Sequence, residues 1–297
     1  SRSTFTLGQF GGHGGRVLRP GDTIPLLELE TLPQLVELPV AATPFSEDEN
    51  HHWELHVIYG PHGAPDFFTP RDIDTFFGTD YEVHFNSSRT GVRLIGPKPE
   101  WARNDGGEAG LHPSNIHDNA YAVGTVDFTG DMPVLLGPDG PSLGGFVCPA
   151  TVIRADLWKL GQLRPGDTVR FVSVSNGEAL QRFATVQQSI SSITSLQSVT
   201  DHYRPSLPAT QPTNAVITQL KLPGGTDLVF RPSGDDFLLM EAGQQKLDIE
   251  LRFKVHGIHR TLEEKALPGI LELTPGIRSL QVHYLPEIIS RETLIQT

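Results

Sequence analysis

The chain has 297 residues and a formal net charge of -12, with 30 glycines, 24 prolines and a single cysteine. Its lysines and arginines are scattered, without the basic stripe that a nucleic acid or an anionic membrane would need. No apolar run approaches the roughly 20 residues of a membrane helix, and the lone Cys148 excludes an intrachain disulfide framework, which suits a reducing, cytoplasmic setting. The start, Ser1-Arg2-Ser3-Thr4-Phe5, has neither an apolar signal-peptide core nor an initiator Met, so the chain reads as cut from something longer.

Abundant glycine and proline with little helical periodicity predict short strands joined by tight turns. Leu18-Arg19-Pro20-Gly21-Asp22-Thr23 recurs as Leu163-Arg164-Pro165-Gly166-Asp167-Thr168, each copy preceded by Leu-Gly-Gln. Proline fixes φ and glycine supplies a positive φ, so each copy reads as a turn entering a strand. Such turns are common in β proteins, but six identical residues in a row suggest two related β units. On that reading residues 1–45 are the tail of a first β barrel and a connector, and residues 46–186 form a second, complete barrel. Within it, Trp53 to Tyr59 is a strand ended by Gly60-Pro61. Thr69-Pro70-Arg71-Asp72 opens a short helix: threonine caps, proline occupies the first turn, and aspartate meets the positive end of the dipole. Ile73, Phe76 and Phe77 form its buried face, and Gly78 stops it. Segments at 81–85, 123–128, 134–136, 151–154 and 169–174 continue the strand series, which predicts a closed or nearly closed barrel.

Residues 187–225 read as a linker containing Pro205, Pro208 and Pro212, with a helix near 177–188. Residues 226–297 have a different grammar. Strands are expected at 228–231 and 237–241, a helix where Leu247, Leu251, Val255, Ile258 and Leu262 recur, and strands again at 269–274 and 279–284. This is the pattern of a small α/β domain, with a further helix starting at Ser290.

The densest polar stretch runs from Glu108 to Tyr121 and includes His112, Ser114, Asn115, His117 and Asp118. It reads as a loop beside a strand end, where polar groups among glycines are disproportionately functional. Asn115 both donates and accepts hydrogen bonds, and the histidines and Asp118 hold or move protons. The bland alternative is a loop folded by its own side-chain-to-backbone bonds. Downstream lie Asp131 and the run Ser142-Leu143-Gly144-Gly145. That run reads as a turn whose exposed N–H groups could hold an oxyanion, although a plain hairpin explains it equally. His52, Glu54 and His56 would share one strand face, but surface alternation accounts for them, so no metal site is expected. His256 and His259 are surface residues on this reading, and Cys148 is structural. Gly11-Gly12-His13-Gly14-Gly15 lacks the Lys-Ser/Thr pair of a phosphate loop, and no Gly-x-Ser-x-Gly elbow is present.

The run from Gly106 to Asp118, followed in order by Tyr121-Ala122-Val123-Gly124, Phe128-Thr129-Gly130-Asp131 and Asp139-Gly140-Pro141-Ser142-Leu143-Gly144-Gly145-Phe146, resembles the core motif of the allophanate hydrolase subunit 2-like proteins. Gly234-Asp235, the stretch from Glu241 to Arg252 and that from Pro275 to Tyr284 resemble the start of the partner subunit 1-like module. That order in one chain is similar to the carboxyltransferase domain of urea carboxylase, as found in urea amidolyase. Other arrangements of these modules resemble 5-oxoprolinase subunits, which work without biotin, and a non-enzymatic kinase-inhibitor pair. The resemblance implies a mainly β fold: a cyclophilin-like β barrel followed by a small α/β, ferredoxin-like domain. It implies transfer of a carboxyl group from carboxybiotin to urea, giving allophanate, with biotin on a carrier domain outside this chain and ATP used only by a separate biotin carboxylase domain. Those two domains and urea are the implied partners, and a homo-oligomer is compatible with it. In the implied site Asn115, His117, Asp118 and His112 are catalytic. Glu108, Ser114, Tyr121, Asp131, Ser142, Gly144 and Gly145 bind substrate.

Overall fold

The computed structural model describes residues 4–5, 8–24, 51–103, 106–107, 110–192 and 214–297. Residues 1–41 and 42–297 form two units. In the first, β1 (Thr4–Phe5) pairs antiparallel with β2 (Phe10–Gly11). The repeated Arg-Pro-Gly-Asp sequence folds the same way in both units. The Arg19 amide donates to the Asp22 carboxylate at 2.7 Å, and the Asp22 amide returns to the Arg19 carbonyl at 3.0 Å, with Gly21 at φ +92°. In the second copy the Arg164 amide donates to Asp167 at 3.1 Å, the Asp167 amide returns at 3.0 Å, and Gly166 has φ +90°. The echo is thus one turn built twice, because aspartate at the fourth position bonds back over a glycine that takes the left-handed corner.

The second unit continues with β3 (His52–Tyr59), α1 (Pro70–Gly78), β4 (Asp80–Val83), β5 (Gly91–Ile95), β6 (Asn115–Ala120), β7 (Thr125–Thr129), β8 (Met132–Leu136), β9 (Leu143–Phe146), β10 (Ala150–Val152), α2 (Leu157–Leu160), β11 (Thr168–Ser173) and α3 (Asn176–Ser192). Seven of these strands close a barrel in the order β10-β3-β11-β4-β5-β8-β7, and β7 returns to β10. Strand direction cannot alternate all the way round an odd ring, and the one parallel pair is β3 with β11. The barrel is filled by the inward residues of each strand, among them Leu55, Val57, Val126, Phe128, Leu135 and Phe171. Helix α1 carries Phe76 onto this core, where its ring stacks on Phe171 with centroids 4.6 Å apart. The helix starts where expected: Thr69 and Asp72 form a reciprocal capping box, with Pro70 in the first turn.

The C-terminal part comprises β12 (Thr218–Lys221), β13 (Asp227–Pro232), β14 (Phe237–Ala242), α4 (Ile249–Lys265), β15 (Ile270–Pro275), β16 (Ser279–Tyr284) and α5 (Arg291–Gln296). Its antiparallel sheet has the order β12-β13-β14-β16-β15. Helix α4 lays Leu251 and Val255 on Leu238, Met240, Leu280 and Val282, which is the core its apolar spacing predicted. Leu247 is the exception: it precedes the helix and is 78% exposed. Helix α3 runs to Ser192, and β12 joins the C-terminal sheet, so the end of α3 and the whole of β12 fall within the expected linker of residues 187–225. Pro205, Pro208 and Pro212 lie outside the described residues. Among the described residues, no helix is long and apolar enough to cross a membrane.

Barrel and C-terminal sheet are joined by buried charge. Glu241 sits between Arg231 and Arg278, at 2.5 Å from each. Arg231 also reaches Asp66 at 2.9 Å and the Pro61 carbonyl at 3.3 Å, both on the barrel side. Burial opposes ionisation of Glu241, but the two guanidinium groups overcome it and hold its pKa down to about 2. A second tie runs from the Arg154 guanidinium to Asp235 at 3.2 Å. His62 lies fully buried beside this network; burial lowers its pKa to about 3, and its Nδ1 accepts from the Cys148 amide at 3.0 Å.

Candidate functional site

Part of the polar stretch is a strand, where a loop was expected throughout, while His112 and Ser114 remain in the loop that leads into it. Residues Asn115–Ala120 form β6, which pairs with β9, so the glycine run Ser142-Leu143-Gly144-Gly145 is mostly strand as well, where a turn was expected. Neither segment has the period-2 apolar alternation by which strands are recognised, because the ribbon lies outside the barrel and covers it with only part of one face. Its register also breaks. Asn115 faces Phe146 and Asn119 faces Gly144, so three residues of β6 bulge opposite Gly145 alone. Such bulges re-aim side chains and gather near functional sites.

The glycines of β9 are set by contact. A Cβ on Gly144 would collide with the Tyr121 ring, and one on Gly145 would meet the Ile116 carbonyl at 2.7 Å and an Asp118 carboxylate oxygen at 3.0 Å. Tyr121 Oη accepts from the Phe146 amide at 2.9 Å, and the Tyr121 amide donates to the Ser142 carbonyl at 2.9 Å. Tyr121 is buried, and burial pushes its phenol pKa well above the ordinary value. Asp118 is exposed at the bulge, with its carboxylate beside the Gly145 backbone. Asn115 and His117 are half-buried on the same strand.

The other predicted residues gather at the start of β6. His112 Nδ1 lies 2.9 Å from Ser114 Oγ and accepts from the Ser114 amide at 3.1 Å, while its Nε2 is 3.3 Å from Asp131. Asp131 also receives Trp101 Nε1 at 3.1 Å and lies 2.8 Å from Lys98 Nζ. Burial opposes ionisation of Asp131, but the bonds from Lys98 and Trp101 leave its pKa below the ordinary value. Ser114 is fully buried and its Oγ accepts from the Gly130 amide at 3.2 Å. This group therefore locks the entrance to β6, while Asp118, Gly144, Gly145, Tyr121 and Ser142 surround its bulge and far end. Glu108 lies outside the described residues. His56, once a possible metal ligand, is buried with Nδ1 2.7 Å from Asp156. No group of three His, Cys, Asp or Glu residues is placed to hold a metal among the described residues.

The sequence matches the family described as carboxyltransferase domain, subdomain A and B, over residues 1–173, and that described as carboxyltransferase domain, subdomain C and D, over residues 228–297. The chain belongs to the carboxyltransferase-domain family. It is 41% identical over its whole length to a urea amidolyase of Lachancea kluyveri and 38% identical to one of Saccharomyces cerevisiae. It spans only 17% and 16% of those proteins. Its fold superposes over its whole length on the crystal structure of Kluyveromyces lactis urea carboxylase with a TM-score of 0.84 at 38% identity, covering 27% of that chain.

Two features of this carboxyltransferase-domain chain escaped the sequence. The first comes from the C-terminal sheet: the Ile277 amide donates to the Asp118 carbonyl at 2.9 Å, and Gly276 packs so closely on that carbonyl that a Cβ would lie 2.6 Å from it. The turn between β15 and β16 thus props the bulge from 158 residues away in sequence, counting from Gly276 to Asp118 (276 − 118). The second is Asp127, on the outer face of β7 under the ribbon. It is 4% exposed, Thr129 Oγ1 donates to its Oδ2 at 3.4 Å, and its Oδ1 has no hydrogen-bond partner among the described residues. Burial raises its pKa to about 7. Asp127 lines a cleft of about 440 Å³ between ribbon and barrel wall, with Tyr121, Leu143, Gly144 and Phe146 on the ribbon side. The signal was its position: Asp127 follows Thr125 on the same outward side of a strand otherwise apolar to Phe128.

Proposed function

We propose that this chain is the carboxyltransferase part of a biotin-dependent urea carboxylase, moving a carboxyl group from carboxybiotin to urea to give allophanate. The observation that carries this reading is similarity, over the whole of this chain, to part of the urea amidolyases, joined to a bulged ribbon that aims an exposed carboxylate beside a glycine backbone. The 5-oxoprolinase and kinase-inhibitor alternatives have no such full-length support. Biotin, carried on a module outside the chain, supplies an activated carboxyl group, and ATP is spent in a separate biotin carboxylase domain. Both modules belong to the same enzyme, in a reducing cytoplasm that suits the single thiol.

Urea offers one carbonyl acceptor and N–H donors along planar edges. On this reading the Asp118 carboxylate accepts an N–H edge and Asn115 satisfies the carbonyl, which orients one nitrogen for attack. Asp118 beside Gly145 favours a donor-rich ligand over an oxyanion there, since like charges at that spacing repel. Backbone N–H groups near Ser142 and Gly144 are left to steady charge developing on the donor side. His117 holds or moves the proton that the nitrogen loses, and His112, with Ser114 and Asp131, fixes the strand entrance. Glu108 and Tyr121 contribute to substrate binding on the same reading. Residues 1–45 are the tail of a first barrel on the same reading, and residues 226–297 the start of the partner module.

Asn115→Ala and Asp118→Ala in the complete enzyme are expected to abolish allophanate formation from urea while sparing ATP cleavage by the biotin carboxylase half-reaction. Wild-type allophanate formation in both variants would overturn the assignment.

A further inference from the structure

The cleft above Asp127 has a composition unlike that of the bulge. Its buried walls beside Asp127 are apolar, from Val134, Leu136 and the Tyr121 ring, with Leu143 and Phe146, while exposed polar side chains, among them Asn86, Thr90 and Arg93, line the rest. Asp127 lies directly opposite Val134 in the β7–β8 register, and Val134 opposite Arg93 in the β5–β8 register, so one row of side chains crosses the outer barrel wall. Arg93 is exposed at the rim and is no partner of the acid: the contributions to Asp127 come from burial and from Thr129. The Tyr121 phenol and the Cys148 thiol both feel the Asp127 charge, and burial keeps both protonated. An ionised carboxylate is costly in such surroundings, so the side chain holds a proton near neutral pH.

A carboxylic acid presents a donor and an acceptor side by side. The complementary group is a cis-amide, whose N–H and C=O also lie side by side. The one side-chain bond Asp127 receives among the described residues, from an exposed Thr129 hydroxyl at 3.4 Å, is at the outer limit of hydrogen bonding and is readily exchanged for a ligand. We propose that the cleft between the β6–β9 ribbon and the barrel wall is a second binding site, taking an uncharged cis-amide on an apolar body, with Asp127 as its polar anchor. Charged ligands are disfavoured at the buried, apolar end that holds Asp127, and a ligand with no apolar body leaves most of about 440 Å³ unfilled. This cleft shares Tyr121 and Gly144 with the residues assigned above, but its anchor, Asp127, takes no part in that reading, and binding to the isolated chain is measured without carboxyl transfer.

The test is binding by the 297-residue chain, measured by ligand-observed NMR with ε-caprolactam as the cis-amide, cyclohexylammonium as a cation of similar bulk, and cyclohexanecarboxylate as an anion. The lactam is expected to bind saturably and the two ions not. Asp127→Leu, which keeps the bulk and removes the acid, is expected to weaken lactam binding by about tenfold or more, the loss of one well-made buried polar pair. Leu143→Trp, at a half-exposed position on the mouth, is expected to block the cleft without touching the barrel core. Circular dichroism confirms folding of each variant. Preference for either ion, no lactam binding to the wild-type chain, or unchanged lactam binding in folded Leu143→Trp would overturn the proposal.

Discussion

Asp127→Asn isolates the cost of burying one carboxyl group. In the folded chain burial raises the Asp127 pKa from 3.8 to about 7. A raised carboxylate pKa means that the folded state binds the proton more tightly. The associated stability is fully present below the unfolded value near 3.8 and is lost as pH climbs through about 7. Between pH 5 and 8 most of that window is crossed, at about 1.4 kcal/mol per pH unit until the folded pKa is reached, or about 2–3 kcal/mol in all. Asparagine has nearly the same shape and does not titrate. Stability of Asp127→Asn minus that of wild type is therefore expected to rise by about 2–3 kcal/mol from pH 5 to pH 8, which corresponds to about 5–10 °C in melting temperature for a unit of this size. The assay is thermal unfolding of both proteins across that range, read as a difference so that other titrating groups cancel. At pH 5 the variant is expected to be level with or slightly below wild type, because an amide meets the same shortage of partners at Oδ1. A flat difference from pH 5 to 8 would refute the reasoning, since Asp127 would then titrate as an ordinary solvated carboxyl.

Two further outcomes follow from the packing. Gly144→Ala drives a methyl group into the Tyr121 ring and is expected to cost about 1–3 kcal/mol, with faster exchange of the Tyr121 and Phe146 amides marking the ribbon as the element that yields. Glu241→Gln leaves Arg231 and Arg278 buried around a neutral side chain and is expected to cost about 3–5 kcal/mol. Because Arg231 also holds Asp66 and Pro61, that loss should make the C-terminal sheet unfold ahead of the barrel in a denaturant titration followed residue by residue.

What could be read in the sequence divides along a physical line. Elements whose residues face a core carry their own period, so β3, α1, β11 and α4 were legible, and the capping box of α1 was spelled out by Thr69, Pro70 and Asp72. The repeated turn was legible for the same reason, since proline, glycine and aspartate each dictate a backbone angle or a local bond. Strands β6 and β9 failed that test: a ribbon lying on the outside of a barrel buries part of one face, and its bulge breaks what alternation remains. The predicted residues consequently lie near one another, several of them on strands where a loop and a turn were expected. His112, Ser114 and Asp131 proved to be one hydrogen-bonded group across the β7–β8 turn, which no local spacing reveals. Least legible was whatever depends on a partner distant in sequence. Gly276 is an unremarked turn glycine until its contact with the Asp118 carbonyl is seen, and Asp127 is an ordinary strand aspartate until the ribbon covers it. Both are consequences of one event, the docking of β6–β9 over the barrel wall. That docking sets two environments on opposite faces of the same ribbon: an exposed carboxylate at Asp118, held by the C-terminal turn, and a buried acid at Asp127, deprived of solvent. Burial holds the proton on Asp127 up to about pH 7, and that burial follows from the placement of the ribbon.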